Sequence, residues 1–175
     1  MADRKPKVDG EGSRQTQRKA LGSKQEFYTK VLGLEKHTFN CGHPKYAAKF
    51  TTSLKAIANY VQKEYENAEP VARAMRGLTD VQILIDEEPT LLEGVPANDP
   101  RNDIIIFKWK ENWKIAKRQE QFLESNVSKA YALVLEQCSE AMKTAVKGLP
   151  GHEIVAENVD LIELLKEIKG VACNH

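Results

Sequence analysis

Two short runs carry the residue types a metal would need. Cys41-Gly42-His43 and Cys173-Asn174-His175 each set a thiol and an imidazole one residue apart. Zn²⁺ favours such donors in tetrahedral sets, but its paired ligands usually stand roughly two to four residues apart. The second run also lies at the last residues of the chain, where ordering costs entropy. The plainer reading binds no metal: Cys41 and His43 are loop residues, and Cys173 follows a helix end. Cys138 lies on an apolar stripe. A catalytic thiol needs a base or a cation beside it, and the sequence places no histidine near Cys138, so a buried small hydrophobe is expected. His152-Glu153 lacks the second histidine of HExxH and is expected in a turn. Neither GxxxxGK[ST] nor GxGxxG is present, so no phosphate cradle is visible. D[ST]G, which would mark an aspartic protease, is missing too. The acidic residues look like helix-face charge, not a carboxylate pair in apolar surroundings. No catalytic residue, no cofactor, no metal and no small-molecule substrate is therefore expected.

Binding chemistry has two candidates. Trp109 and Trp113 stand one helical turn apart beside Ile105. Indoles can stack on nucleobases, but at this spacing they are more often core or interface anchors. Near the N-terminus, Arg4, Lys5, Lys7, Arg14, Arg18, Lys19 and Lys24 face only Asp3, Asp9 and Glu11. Such a tail can bind RNA phosphates by counterion release; the simpler alternative is a solvated terminus that keeps the protein soluble.

Composition narrows the class. The chain has 175 residues, 41% hydrophobic and 29% charged, with a net charge of +1. That suits one globular domain and no whole-protein basic field. No run approaches the ~18 apolar residues of a membrane span, and the N-terminus has no apolar signal core. Three scattered cysteines make no disulfide framework, so a reducing, cytoplasmic setting is expected.

Periodicity then supplies the elements that would position these groups. Residues 1–23 lack apolar periodicity and are expected to be a disordered basic tail, followed by a helical domain over 24–175. Ser23 with Glu26 suggests a capped helix over Lys24–Leu32, ended by Gly33. Tyr46, Phe50, Leu54, Ile57, Val61 and Tyr65 form one helical stripe that Pro70 interrupts. A short helix over Val71–Leu78 closes at Gly77. Val81, Ile83 and Ile85 alternate as in a short extended segment, and Asp86–Arg101, with three prolines and a glycine, reads as an irregular connection. Asn102 or Asp103 is the expected cap of a helix carrying Ile105, Trp109, Trp113 and Ala116. A further stripe runs through Val127, Tyr131, Val134, Cys138, Ala141 and Ala145 to a stop at Gly148 and Pro150, either continuing the Trp helix or restarting near Ser125–Asn126. Last, Asp160 with Glu163 opens a helix through Leu161, Leu164, Leu165 and Ile168, with Gly170 expected at its end. The fold class is all-α, a multi-helix bundle.

Four segments in order carry a family resemblance. They are GLEKHTFNCGHPKYAAKF, IANYVQKEYENAEPVARAM, FKWKENWKIAKRQEQFLESNVSKAYALVLEQCSEAMKTAVKGL and VDLIELLKEIKGV, together spanning about residues 33–171. The set resembles the Gag (capsid-type) polyproteins of copia-type LTR retrotransposons, especially those of algal and diatom genomes. The resemblance implies a non-enzymatic helical capsid-like lobe that self-associates into virus-like particles and packages RNA in the cytoplasm. It also implies that Trp109, Trp113, Tyr131 and Leu135 hold helices together or form subunit contacts. The chain departs from a full Gag in lacking a C-x2-C-x4-H-x4-C zinc knuckle, and it carries no protease, integrase or reverse transcriptase. It would then be the front piece of a longer polyprotein, a truncated gene or a relic. Beside this reading stand an RNA-binding protein that uses the basic tail and a monomeric helical adaptor domesticated from a mobile element.

Overall fold

The computed structural model describes residues 31–94, 96 and 99–174. Arg4, Lys5, Lys7, Arg14, Arg18 and Lys19, with most of the expected Lys24–Leu32 helix, lie outside the described residues. Val31 and Leu32 form a bend and turn into Gly33, whose φ of +92° suits a residue without a Cβ.

Six helices and no strand occur among the described residues, so the chain is all-α. The stripe of the first long segment folds as helix α1, Lys45–Glu64, and buries Phe50, Leu54, Ile57 and Val61 at steps of four, three and four. Pro44 caps it without a side-chain bond; instead His43 Nδ1 accepts from Lys45 N at 3.1 Å. The stripe expected to be interrupted at Pro70 ends earlier, at Glu64, and Pro70 instead sits in the first turn of helix α2, Glu69–Gly77. Proline suits the first helical turn because its missing N–H would be unpaired there anyway. The left-handed residue that ends α2 is Leu78, φ +52°, not Gly77.

From residue 79 to 92 the chain is a strap with neither helix nor strand pairing. It leads to helix α3, Pro100–Glu136, a single element of 37 residues. The Trp segment and the Tyr131 segment are therefore one helix, with no restart at Ser125. Its cap is Asp99, whose carboxylate accepts from Arg101 N at 2.9 Å, and not Asn102 or Asp103. Asn102 is fully buried and spends its amide elsewhere: Oδ1 accepts from Leu92 N and Nδ2 donates to Pro96 O.

The stripe expected to run on through Cys138 is broken at Gln137–Ser139. Helix α4, Glu140–Lys147, starts afresh with Ser139 Oγ accepting from Met142 N at 3.2 Å. Gly148 caps it as the sequence suggests. His152-Glu153 is not a turn but opens a short helix α5, His152–Glu157, entered through Gly151 at φ +87°. Helix α6, Leu161–Cys173, has the expected cap: Asp160 Oδ1 accepts from Ile162 N and Glu163 N. It does not stop at Gly170. Buried Ala172, one turn beyond Ile168, gives the next residues a face to pack, and Cys173 is the last helical residue. That packing outweighs the roughly 1 kcal/mol a mid-helix glycine costs.

Helix α6 touches each of α1 to α5, and Leu161, Leu164, Leu165 and Ile168 are among the most completely buried side chains. Around it gather Ile57 and Val61 of α1, Val71 and Met75 of α2, Val134 of α3 and Met142 and Val146 of α4. No helix of the described residues is long and apolar enough to cross a membrane.

Candidate assembly surface

Helix α3 has two halves with different surroundings. From Asn126 onward it packs into the body, burying Ala130, Tyr131, Leu133 and Val134. Asn126 Nδ2 anchors this half by donating to Glu66 O at 2.8 Å. Before Asn126 the only buried residues are Asn102 and Ala116. That first half, with the strap laid beside it, is an arm without a core of its own. A packed interior is where most helix stability comes from.

The four residues singled out in the sequence fall on both halves and are not brought together. Trp113 and Tyr131 lie eighteen residues apart on one helix, about 27 Å at the usual rise. Trp109 is half-buried and holds the strap: its Nε1 donates to Asp86 O at 3.0 Å, and Asn112 Nδ2 donates to Asp86 Oδ2 at 2.7 Å. Trp113 is 43% exposed, with Lys117 Nζ 5.8 Å from its ring centroid. Neither indole belongs to the buried core.

Tyr131 is buried and Leu135 is half-buried. Both line a groove of about 500 Å³ between the end of α3, α4 and α5, with Val146 and Ala156 on its walls and Lys143 and Lys147 at its edge. His152 closes one side, its Nδ1 2.7 Å from Glu167 Oε2 in a mostly buried pair. Burial, and then the Glu167 and Asp160 charges, push the Tyr131 phenol above its ordinary value. The groove is thus an apolar recess beside a neutral phenol.

The arm exposes more large apolar side chains. Eight exposed large hydrophobic residues lie on it: Leu84, Ile85, Leu91 and Leu92 of the strap, and Ile104, Phe107, Trp113 and Ile115 of α3. Single exposed residues of this kind are ordinary; eight of them on one arm and its strap are a concentration of the kind that interaction surfaces show. Charge is segregated on the same arm. The strap carries Asp80, Asp86, Glu87 and Glu88 with no Lys or Arg, while α3 between residues 108 and 118 carries Lys108, Lys110, Lys114, Lys117 and Arg118 with Glu111 as the one acid in that stretch. Two of these cations are engaged locally, Lys114 with Glu111 and Lys117 with Glu120, each at 2.7 Å. An acidic strap beside this helix lowers its appeal to phosphates.

The residues weighed for chemistry are separated. Cys138 is buried, its Sγ donating to Val134 O at 3.3 Å, and burial pushes its thiol up to about 12. Such a thiol stays protonated at neutral pH and is a poor nucleophile. Cys41 is half-buried in a loop and Cys173 is exposed at the end of α6; His175 lies outside the described residues. Among the described residues no three His, Cys, Asp or Glu side chains converge as a metal site would require.

Periodicity did not anticipate the junction between α3 and α4. Phe39 N donates to Gln137 O at 2.8 Å and Ser139 N donates to Phe39 O at 3.0 Å, so the early FNCG run is clipped to the QCS run. Two of the four segments that carry the family resemblance therefore meet in space; their being singled out together was the available signal.

Comparison with known protein families, with curated proteins and with solved structures finds no match to this chain.

Proposed function

We propose that this chain is a non-enzymatic, Gag-like structural protein of the cytoplasm that self-assembles into capsid-like particles and packages RNA. One observation carries the reading: the first half of α3 and its strap expose eight large apolar residues on an arm that buries almost nothing of its own. An arm of this kind gains a core when another protein covers it. The ordered resemblance over residues 33–171 supplies the particle and its RNA cargo, and the near-neutral charge spares the copies long-range repulsion.

Size-exclusion chromatography with light scattering, at two concentrations and with or without RNA, tests it. A concentration-dependent rise in mass, with particles visible by electron microscopy, is expected. A strict monomer in every condition would overturn it.

A second reading, the monomeric helical adaptor, is favoured by the groove at Tyr131 and Leu135. Its size and apolar walls suit one or two apolar side chains of a partner peptide. A 1:1 complex from a monomeric chain would select that reading.

A further inference from the structure

The arm's apolar surface contains a more specific pattern. Along α3, Ile104, Phe107, Glu111, Ile115, Arg118 and Phe122 follow one another at steps of three, four, four, three and four, with Ile115 at the edge of the row, beside Leu84 and Asp86 of the strap. Those steps keep all six on one face of an α-helix. Ile104, Phe107 and Ile115 are each at least half exposed, and Phe122 is partly so. Trp109, Asn112 and Ala116 take the other side, toward the strap and body. The stripe closes at Lys129, whose ammonium lies 6.0 Å from the Tyr65 ring at the end of α1. From Ile104 to Phe122 the open stretch is about five turns long.

From this pattern we infer that the outer stripe of α3 pairs antiparallel with the same stripe of a second copy, Glu111 of each chain facing Arg118 of the other. This rests on the self-assembly reading and names its contact. Antiparallel pairing about a two-fold axis beside Lys114 and Ile115 sets position 111 opposite 118 and position 107 opposite 122. Both charges then meet an opposite charge, and Phe107 meets Phe122. Parallel pairing in register would set Glu111 against Glu111 and Arg118 against Arg118, with like charges facing at two points. Ionic residues within an apolar seam fix register and orientation more than they add affinity. Affinity comes from Ile104, Phe107, Ile115 and Phe122, whose exposed area is removed from water. The positions of the stripe recur every eleven residues (104 and 115, 107 and 118, 111 and 122), a spacing that favours a gentle right-handed supercoil. In the free chain Glu111 already holds Lys114, while Arg118 has no carboxylate partner among the described residues.

The test uses the full chain. Glu111→Arg and Arg118→Glu should each weaken self-association about tenfold or more, because each places two like-charge pairs in the seam. An equimolar mixture of the two variants should recover association to about the wild-type level, since the mixed pair has opposite charges at both points. Circular dichroism of each variant checks that it folds, as both positions lie outside the core. In a Cys41→Ser, Cys173→Ser background, Phe107→Cys mixed with Phe122→Cys should form a cross-chain disulfide, and Phe107→Cys alone should not, its copies lying about 22 Å apart along the pair. If the wild type assembles but the reversals leave it unchanged, or Phe107→Cys couples to itself, the antiparallel seam is wrong and the assembly reading stands. If the wild type is monomeric throughout, the assembly reading falls and the seam with it.

Discussion

Ser139 and Asn40, ninety-nine positions apart, are joined side chain to side chain: Ser139 Oγ donates to Asn40 Oδ1 at 2.9 Å. The same Oγ accepts from Met142 N and so caps α4. Asn40 Oδ1 also receives Cys41 N at 3.1 Å. One buried hydroxyl thus starts a helix and ties the segment before α1 to the α3–α4 junction. Ser139→Ala should cost about 1–2 kcal/mol, a lost cap plus a lost long-range bond. Asn40→Ala should cost less, and the double variant should fall short of the sum because the two residues share one bond. Urea unfolding of the four proteins measures this; strict additivity would show that the Ser139–Asn40 bond contributes nothing.

Gln137, the residue between α3 and that hydroxyl, is fully buried, and neither its Oε1 nor its Nε2 has a partner among the described residues. An unpaired buried amide costs roughly 1–3 kcal/mol. Gln137→Met keeps the length and removes the polar atoms, so it should raise stability by about 1 kcal/mol. A loss of stability in urea unfolding would mean that the amide makes bonds in solution.

How much of this was legible depended on whether one segment or two made the contact. The stripe of α1 and the Asp160 cap of α6 were plain because period and cap are local. The break at Gln137–Ser139 was hidden because the apolar spacing runs across it, and what ends α3 there is backbone pairing with Phe39. Helix α5 was missed because its six residues are too few for a period and its entry is a left-handed glycine. Tyr131 and Leu135 could be named from their stripe, but the groove they line is made by α4 and α5, which the stripe does not foretell. The exposed row Ile104, Phe107 and Ile115 was obscured by the two tryptophans, which draw attention to the other face.

Those tryptophans should separate the arm from the body in solution. Trp109→Phe removes the Nε1 bond to Asp86 O and loosens the strap. Limited proteolysis should then cut several-fold faster between residues 84 and 94, since local opening sets cleavage. Global stability should move by no more than about 0.5 kcal/mol, as neither indole belongs to the core, and Trp113→Ala should do the same. A large drop in the unfolding midpoint for either variant would place that indole in the folding core instead.

Cys138 makes stability depend on alkaline pH. Burial raises its thiol from 9.0 to about 12, so between those values the unfolded chain releases a proton that the folded chain keeps. With fewer protons bound in the unfolded state, stability falls as pH rises. The contribution is fully present below pH 9 and is lost progressively as pH climbs toward 12. Cys138→Ala removes the titrating group at the cost of a small cavity; it should be less stable at pH 7 yet lose less between pH 9 and pH 11 than the wild type. Denaturant unfolding at a series of pH values reads the two slopes. Equal slopes would show that the Cys138 thiol ionises as readily in the folded protein as in the unfolded chain. Thiol labelling at pH 8 gives a second reading of the same group: exposed Cys173 should react at once in the folded protein, and Cys138 only after denaturation.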